Sequence, residues 1–437
     1  MSGELQIKPA LGESLPPSTA CCSPKPDTCI HGPRGKTLKY IKRSVAALVG
    51  LALAGCGGGG SSSPAANLGP PPIQAVSFTT GQSASVVIGQ SNFTTGTGST
   101  MASGISSPYG NPSILNGVLY LEDYGNNRVL GFNGIPTADG ASADFVLGQT
   151  NFTTATSGST MTTMSGPQTT VSYGGDLFVD EYSNNRIDVY IPAPTAASST
   201  PMTVTPQPIT FTLTATAAGG LNGPETVAVA NGKLIVTDSN NNRVLIWNTV
   251  PTSDTPPNLI LGQTSFAGIA ANQTLAAPTA ATLYYPAGVW TDGTRLVVLD
   301  ENNHRVLIWN TFPTTNDQPA DVVLGQPGFT TNLPNQSSVA GTPPTAATLR
   351  FPYDGVTSNG LQLFVTDNGN NRTLIWNTFP TTNDQPADVV LGQLNMTTFT
   401  AATSQTGEHS PDGLLLTGTQ LLVADAHNNR YLVYSGQ

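Results

Sequence analysis

The sequence predicts an all-β fold, a six-bladed β-propeller whose blades are four-stranded antiparallel sheets. One motif is repeated six times, at intervals of 57 to 67 residues, and a long fixed period of this kind indicates a repeat architecture. Charged residues make up only 10% of the 437 residues, while Gly and Pro number 46 and 35. This composition favours short strands joined by turns, because helical surfaces normally carry many Glu and Lys side chains.

The repeated motif consists of an apolar run, an acidic residue, a polar turn that ends in Asn-x-Arg, and a second run that ends in an aromatic residue. The acidic residue and the arginine are five positions apart in every copy. These pairs are Asp123 and Arg128, Glu181 and Arg186, Asp238 and Arg243, Asp300 and Arg305, Asp367 and Arg372, and Asp425 and Arg430. The motif therefore supplies the second and third strands of each blade, joined by a tight turn.

Two further elements supply the first and fourth strands. A proline opens an alternating run before each motif, and an apolar run ending in Gly-Gln provides the fourth strand of five blades. The prolines are Pro108, Pro167, Pro224, Pro286, Pro352 and Pro411, and the runs end at Gln90, Gln149, Gln263, Gln326 and Gln393. In the second repeat, the apolar residues 208–213 take the place of the Gly-Gln run. Residues 308–326 recur identically as residues 375–393, which indicates duplication.

The order of the elements along the chain predicts how the ring closes. The repeats begin with a fourth strand at residues 86–90 and stop after a third strand at residues 431–434. The N-terminal strand can therefore complete the last blade and leave no unpaired sheet edge there. The alternative is an open solenoid without this pairing.

Residues 73–437 resemble the NHL-repeat family through the Asp, the Asn-x-Arg and the strand after them. Pro286-Ala287-Gly288-Val289 also fits the strand that opens the family's repeats, whereas Pro167-Gln168-Thr169-Thr170 lacks the glycine. The whole chain resembles a six-bladed NHL propeller lipoprotein of the bacterial envelope. The family includes an amidating lyase with a zinc site, and that site needs several converging histidines.

The repeated polar residues are interpreted as structural. Asp and Asn side chains accept hydrogen bonds in tight turns, and a guanidinium can hold two acceptors at once and so link one blade to the next. A calcium loop is the alternative for turns such as 238–242, but its sixth position holds Arg243, a cation where a cation would bind. The aromatic residues that end the third strands are predicted to pack in the core. They are Phe132, Tyr190, Trp247, Trp309, Trp376 and Tyr434.

Residues 1–55 are predicted to be a leader and a lipoprotein signal peptide. A basic stretch at residues 36–43 precedes an apolar, small-residue stretch at residues 44–55, the order found in secretory signals. Leu53-Ala54-Gly55-Cys56 resembles a bacterial lipobox, which implies lipidation of Cys56. Residues 56–72, rich in Gly, Ser and Pro, are predicted to be a tether. Gly57 is not the Asp that retains such proteins at the inner membrane, so we expect a cell-envelope protein of the outer membrane, on its periplasmic or surface face.

The charge balance excludes nucleic acid as a partner. From Cys56 onward the chain has 9 basic and 23 acidic residues, a net charge of −14, whereas phosphate binding needs clustered Lys and Arg. Cys56 is also the single cysteine of this part, so it contains no internal disulfide.

Function is sought where the repeats differ from one another. Long connections between fourth and first strands are predicted on the same face as the Asp-to-Arg turns. They span residues 91–107, 150–166, 264–285, 327–351 and 394–410. Glu225, Asp354, Asp412 and His409 lie on or beside the first strands, and we expect them at the channel mouth in contact with water. His304 and His427 fall in the repeated turns, where we expect them to lie away from His409.

Two functions fit this pattern. The first is a lipid-anchored, non-enzymatic scaffold without catalytic residues, metal or cofactor, which binds a protein, peptide or glycan partner. The second is a lactonase- or lyase-like envelope enzyme that uses one divalent cation held in the channel by Glu225, Asp354 and Asp412, since carboxylates there can bind a metal or act as acid and base. A third, weaker interpretation is adhesion or matrix assembly.

The lipobox interpretation predicts the outcome of one substitution. Cells that express the Cys56→Ser variant and are fed labelled palmitate will produce this protein without label, because the thiol is the acceptor. The unsubstituted protein, expressed in parallel, will carry the label. Persistent labelling of the variant would show that Cys56 is not the lipidated residue.

Overall fold

A computed structural model describes residues 74–195, 211–215 and 218–437. These residues form twenty-four strands in six sheets, and each sheet has four antiparallel strands. The first of these strands along the chain, β1 (Val86–Ile88), belongs to the sixth blade. The first blade contains β2 (Ser113–Leu115), β3 (Val118–Asp123), β4 (Arg128–Phe132) and β5 (Phe145–Leu147), and the second contains β6 (Pro167–Tyr173), β7 (Asp176–Glu181), β8 (Arg186–Tyr190) and β9 (Phe211–Leu213).

The remaining blades repeat this arrangement. The third contains β10 (Pro224–Ala230), β11 (Lys233–Asp238), β12 (Arg243–Trp247) and β13 (Leu259–Leu261). The fourth contains β14 (Pro286–Thr291), β15 (Leu296–Asp300), β16 (Arg305–Trp309) and β17 (Val322–Leu324). The fifth contains β18 (Val356–Ser358), β19 (Leu363–Asp367), β20 (Arg372–Trp376) and β21 (Val389–Leu391), and the sixth adds β22 (Pro411–Thr417), β23 (Gln420–Asp425) and β24 (Arg430–Ser435) to β1.

The predicted ring closure is confirmed. β1 pairs with β24 in antiparallel register, with Val86 opposite Val433 and Ile88 opposite Tyr431. The predicted substitute strand of the second blade is also present, since β9 pairs with β8. Residues 208–210 of that predicted strand lie outside the described residues, as do Cys56 and the predicted signal and tether. No helix of the described part of the chain is long and apolar enough to cross a membrane.

The core lies between neighbouring blades. Each sheet packs against a neighbour on both faces, so the second and third strands are almost entirely buried: β12 is buried throughout, and β11 is buried except at Lys233. Trp309 of the fourth blade, for example, packs in one cluster with Val244 and Ile246 of the third. Its Nε1 donates to the carbonyl of Gln318 at 3.0 Å. The prediction that these aromatic residues pack in the core is therefore confirmed.

The acidic residue and the arginine of each repeat form a buried ion pair. In the fourth blade, the Nε of Arg305 donates to Asp300 Oδ2 at 2.7 Å, and neither side chain is exposed. The Nη atoms of Arg305 donate to the carbonyls of Thr279 and Thr282 before the blade and of Phe329 after it. The arginine thus joins the connection that enters its blade to the connection that leaves it.

A second repeated contact links each blade directly to the next one. The residue before each arginine has a left-handed backbone, with φ between 51° and 55°. Its side chain accepts a hydrogen bond from the N–H of the residue that precedes the proline of the following blade. We call these six acceptors the blade pins. They are Asn127 (from Gly166, 3.0 Å), Asn185 (from Gly223, 2.7 Å), Asn242 (from Tyr285, 2.9 Å), His304 (from Phe351, 3.1 Å), Asn371 (from Ser410, 2.9 Å) and Asn429 (from Ser107, 2.8 Å).

The blade pins refine the sequence interpretation, which assigned the link between blades to the arginine. The arginine organises the connections, and the residue before it makes the bond to the next blade. Asn suits this position because it tolerates a left-handed backbone better than other residues with a side chain. Asn429 pins the sixth blade to the first and so closes the ring a second time.

The described chain enters the propeller at the end opposite to the Asp-to-Arg turns. The N–H of Val76 donates to Gln362 Oε1 at 2.7 Å, and Gln362 Nε2 donates back to the carbonyl of Val76 at 3.0 Å. Gln362 lies in the hairpin between β18 and β19, whereas the Asp-to-Arg turn lies at the other end of β19. We call these two ends the hairpin face and the turn face.

The blade pins predict the effect of Asn429→Ala. The substitution leaves the N–H of Ser107 without its acceptor and places Ala in a left-handed backbone, so the free energy of unfolding should fall by about 1–3 kcal/mol. Asn116→Ala is the matched control, because Asn116 is exposed and has φ 52° in a hairpin. Denaturant unfolding will show a larger loss for Asn429→Ala. Equal losses would mean that the pin contributes nothing beyond its backbone conformation.

Candidate functional site

The first strands of the blades surround the propeller axis and begin at the turn face. Pro224 pairs with Asp238, and Pro286 pairs with Asp300, so each proline lies beside the acidic residue that precedes a turn. The long connections lie on the same face, as predicted, because the arginines of the turns bind their carbonyls. The residues that flank the blade prolines therefore surround the mouth of the channel at the turn face.

Close backbone contacts between the first strands fill the axis below this mouth. A Cβ atom at Gly413 would collide with the carbonyl oxygen of Gly110, and one at Gly355 would collide with that of Asp412. Only glycine permits such an approach. Asn111 adds two hydrogen bonds across the axis, to the carbonyl of Asp354 and from the N–H of Leu414.

A cavity lies at each end of the axis. The cavity at the turn face has a volume of about 380 Å³ and that at the hairpin face about 240 Å³. We call the first one the turn-face cavity. Its walls are Tyr109, Glu301, Phe351, Tyr353, Asn368, Ser410, Asp412 and His427. The cavity at the hairpin face is lined by uncharged residues, most of them apolar residues of the first strands such as Val171, Trp290 and Leu415. The cavity at the turn face therefore contains acidic side chains, which the cavity at the hairpin face does not.

Three carboxyl groups meet beneath the turn-face cavity, and we call Glu225, Asp354 and Asp412 the acid trio. The three carboxyl groups are close enough to affect one another, since the charges of Asp412 and Glu225 add to the burial that raises the pKa of Asp354. The hydroxyls of Tyr285 and Tyr353 donate to Glu225 Oε1 at 2.7 and 2.8 Å. The N–H of Gly110 donates to Asp412 Oδ1 at 2.8 Å.

The acid trio is completely buried, and burial raises the pKa of every member. The pKa of Glu225 rises to about 7 and that of Asp412 to about 8. The pKa of Asp354 rises well above its usual range, because burial is reinforced by the charges of Asp412, Glu225 and Asp180. No N–H or hydroxyl of the described residues donates to Glu225 Oε2, to Asp412 Oδ2 or to either carboxyl oxygen of Asp354. Shared protons or a cation can satisfy these oxygens.

The sequence predicted solvated groups at the channel mouth, and this expectation is wrong for the acid trio. The structure brings Glu225, Asp354 and Asp412 together, but beneath the mouth rather than in water, since none of the three is exposed. Two more buried acids lie nearby. Burial raises the pKa of Asp180 well above its usual range, and the charge of Glu225 raises it further. Burial raises the pKa of Glu122 to about 8.

His409 does not join the acid trio. Its backbone N–H donates to Asp425, and its ring packs edge-on against His427, with Nε2 of His409 3.4 Å from Nδ1 of His427. The expectation that His427 lies away from His409 is therefore wrong. His304 serves as a blade pin, and its burial lowers its pKa to about 4. Within the described ranges, no group of three or more His, Cys, Asp or Glu side chains is arranged to hold a metal ion.

The aromatic walls of the site were missed by the sequence interpretation, which considered charged residues alone. Tyr285 and Phe351 directly precede a blade proline, and Tyr109 and Tyr353 directly follow one. All four are half-buried. The aromatic residues on either side of these prolines were the signal that could have found them, since the other blades carry Ser, Gly, Gln, Glu, Ala or Asp there.

Comparisons with known proteins agree on the repeat. The NHL repeat family matches residues 221–247, which include most of the third blade. No curated protein matches the chain in sequence.

Solved structures resemble the chain only distantly. Virginiamycin B lyase from Staphylococcus aureus is 12% identical, with a TM-score of 0.39 over 75% of this chain and 95% of the lyase. The WD40 β-propeller domain of Doa1 is 9% identical, with a TM-score of 0.42 over 83% of this chain and 96% of the domain. A structural genomics protein from Bacteroides thetaiotaomicron is 13% identical, with a TM-score of 0.44 over 82% of this chain and 75% of that protein.

The raised pKa values of the acid trio predict how stability varies with pH. Unfolded carboxyl groups lose their protons near pH 4, whereas the folded trio holds them up to about pH 7 to 8. The folded state therefore binds more protons over this range, and its stability falls as pH rises from about 4 to 8. Replacing Asp354 by Asn removes one shared charge, so it should weaken this fall and raise the free energy of unfolding at pH 8.5 by about 1–3 kcal/mol.

Thermal unfolding of the full chain between pH 5.5 and 8.5 measures this dependence. Asp292→Asn is the control, because hydrogen bonds to Arg295 lower the pKa of Asp292 and leave it ionised in both states over this range. Its melting curve should keep the slope of the parent protein. An unchanged slope in Asp354→Asn would contradict the shared-proton arrangement.

Proposed function

We propose that this protein is a non-enzymatic binding propeller of the bacterial cell envelope, lipid-anchored through Cys56, that holds a protein or peptide partner at its turn face. One observation carries the proposal. The turn-face cavity has aromatic walls and an acidic floor, and it opens among loops that the buried arginines fix in place. Such a concave site with few, convergent polar groups is typical of ligand binding.

The loops around the cavity are held in position before any partner arrives. Arg372 donates to the carbonyls of Thr345 and Thr348 in the connection before its blade, and to that of Met396 in the next one. Arg430 binds three connection carbonyls in the same manner. Because these loops need not be ordered on binding, less conformational entropy is lost and affinity improves.

The chemistry of the cavity favours a protein or peptide over a glycan. Half-buried Tyr and Phe rings provide large contact areas at low entropic cost, as in many protein-binding surfaces. Asp412 and Glu301 add carboxyl groups that a basic side chain can ionise and pair with, whereas a neutral sugar would leave them protonated. The net charge of −14 after Cys56 likewise favours a basic partner through electrostatic steering.

The alternative function is an envelope lactonase- or lyase-like enzyme with a divalent cation in the channel. Its support is the chemistry of the acid trio, whose oxygens without hydrogen-bond donors are the hard ligands that such cations prefer. The geometry adds nothing to that support, since no group of three such side chains among the described residues is arranged to hold a metal ion. Metal analysis of the purified protein distinguishes the two functions. Stoichiometric metal that disappears in Glu225→Gln and Asp354→Asn would favour the enzyme over the binding propeller.

Peptide selection tests the binding function directly. Peptides from a random library should be enriched on the immobilised full chain and should bind it in fluorescence anisotropy. Tyr353→Leu should weaken this binding about tenfold or more, as expected for an aromatic hot spot. Val171→Ala, which alters the cavity at the hairpin face, is the matched control and should bind as the parent does.

Two outcomes would contradict the proposal. Selected peptides that bind Tyr353→Leu as well as the parent would place the binding surface elsewhere. Binding to a glycan array that depends on Tyr353, without any peptide binding, would show that the partner is a carbohydrate.

A further inference from the structure

We propose that the turn-face cavity is a receptor for an organic cation, the ammonium or guanidinium group of a basic side chain, held between the rings of Tyr109, Phe351 and Tyr353 and above Asp412 and Glu301. This inference deepens the proposed function, on which it rests for the source of the side chain. It identifies the chemical group that the site recognises, and free small cations can test it without the partner.

Two carboxyl groups in the cavity wall, those of Asp412 and Glu301, are available to pair with a cation, and they are the first argument. Asp412 lines the cavity, is fully buried and has an oxygen, Oδ2, that receives no hydrogen bond from an N–H or hydroxyl of the described residues. Glu301 lines the same cavity, and burial together with the charges of Glu225 and Asp412 raises its pKa to about 9. A buried carboxylate of this kind is costly unless a cation or a proton pairs with it.

The basic residues of the described chain do not fill this role. Six arginines form the ion pairs of the turns, and Arg295 pairs with Asp292. Lys233 lies over the ring of Phe312. Arg350 lies 6.0 Å from the ring of Phe351 and lines the adjacent cavity of about 180 Å³, not the turn-face cavity. The turn-face cavity is therefore acidic without a lysine or arginine among its walls.

A rigid aromatic wall is the second argument. The hydroxyl of Tyr353 is fixed on Glu225 Oε1. The ring of Tyr109 packs edge-on against Tyr124, with centroids 5.0 Å apart, and that of Phe351 packs edge-on against His304 at 4.3 Å. Cations bind to the faces of such rings, and the attraction grows when water is excluded. The three rings are thus held in place before a cation enters.

The size of the cavity agrees with a side-chain head group. Its volume of about 380 Å³ lies near the lower end of the range of about 300–1,000 Å³ that is usual for small-ligand pockets. A butylammonium or butylguanidinium ion, which reproduces the end of a Lys or Arg side chain, is therefore a suitable probe.

Cation binding must also release protons. Burial raises the pKa of Asp412, Glu301 and Glu225, so these carboxyl groups hold protons near neutral pH. An entering cation stabilises their ionised form, so the cation enters while a proton leaves to solvent. The titratable groups around Asp412 are Asp354, Glu225, Glu301, Tyr109, Tyr353 and Tyr431, and His427 lines the same cavity. Tyr109 and Tyr353 keep their protons at neutral pH, since burial raises the pKa of both.

Calorimetric titration of the full chain at pH 7.5 tests the inference. Butylammonium or butylguanidinium should bind with one-to-one stoichiometry, whereas uncharged 1-butanol should not. The binding enthalpy should differ between phosphate and HEPES buffers, which contain no primary ammonium group, because these two buffers take up the released proton with different heats.

Variants locate the site. Asp412→Asn and Tyr353→Leu should each weaken cation binding about tenfold, since one loses the charge and the other the ring face. Tyr353→Phe keeps the ring and should retain most of the affinity, so it also checks that the fold tolerates change at this position. Tyr284→Leu is the matched control, because Tyr284 is exposed and does not line the cavity.

Three results would overturn the inference. They are equal binding of butylammonium and 1-butanol, unchanged affinity in both Asp412→Asn and Tyr353→Leu, and displacement of butylammonium by Ca²⁺ or Mg²⁺ at lower concentration with one ion per chain. Binding of small cations without any peptide binding would support this inference and contradict the proposed protein partner. Peptide binding at the turn face without cation binding would support the proposed protein partner and contradict this inference.

Discussion

The buried ion pair between the acidic residue and the arginine of each repeat is the interaction on which the rest of the structure depends. A buried guanidinium is stable only if its donors are satisfied, because an unpaired buried charge costs several kcal/mol. In Arg305 the remaining donors bind carbonyls on both neighbouring connections. The ion pair therefore fixes the arginine in the turn, and the arginine in turn fixes the loops that surround the cavity.

The sequence predicted the fold well because the repeats are local and periodic. Six copies of one motif were sufficient to predict the number of blades. The repeats begin with a fourth strand and end with a third strand, and this order was sufficient to predict that β1 completes the last blade. The blade pins were missed although Asn recurs directly before five of the six arginines. Their partner lies in the next blade, and a pattern within one repeat contains no information about that contact.

The candidate site was only partly predictable, for a different physical reason. Glu225, Asp354 and Asp412 were identified because few other blades carry an acid at that place, and the structure brings them together. Their burial depends on how closely six first strands approach, which in turn depends on glycines such as Gly413. Tyr353 enters the site through its contact with Glu225 in a different blade. Only the three-dimensional ring brings these residues into contact.

The contact between Val76 and Gln362 has a consequence for how the molecule would be presented on a surface. The described chain leaves the propeller beside the hairpin between β18 and β19, at the pole farthest from the acid trio. If the residues upstream attach the protein to a lipid bilayer, as we propose, that attachment reaches the described chain at the hairpin face, and the entrance of the turn-face cavity lies at the other end of the propeller axis.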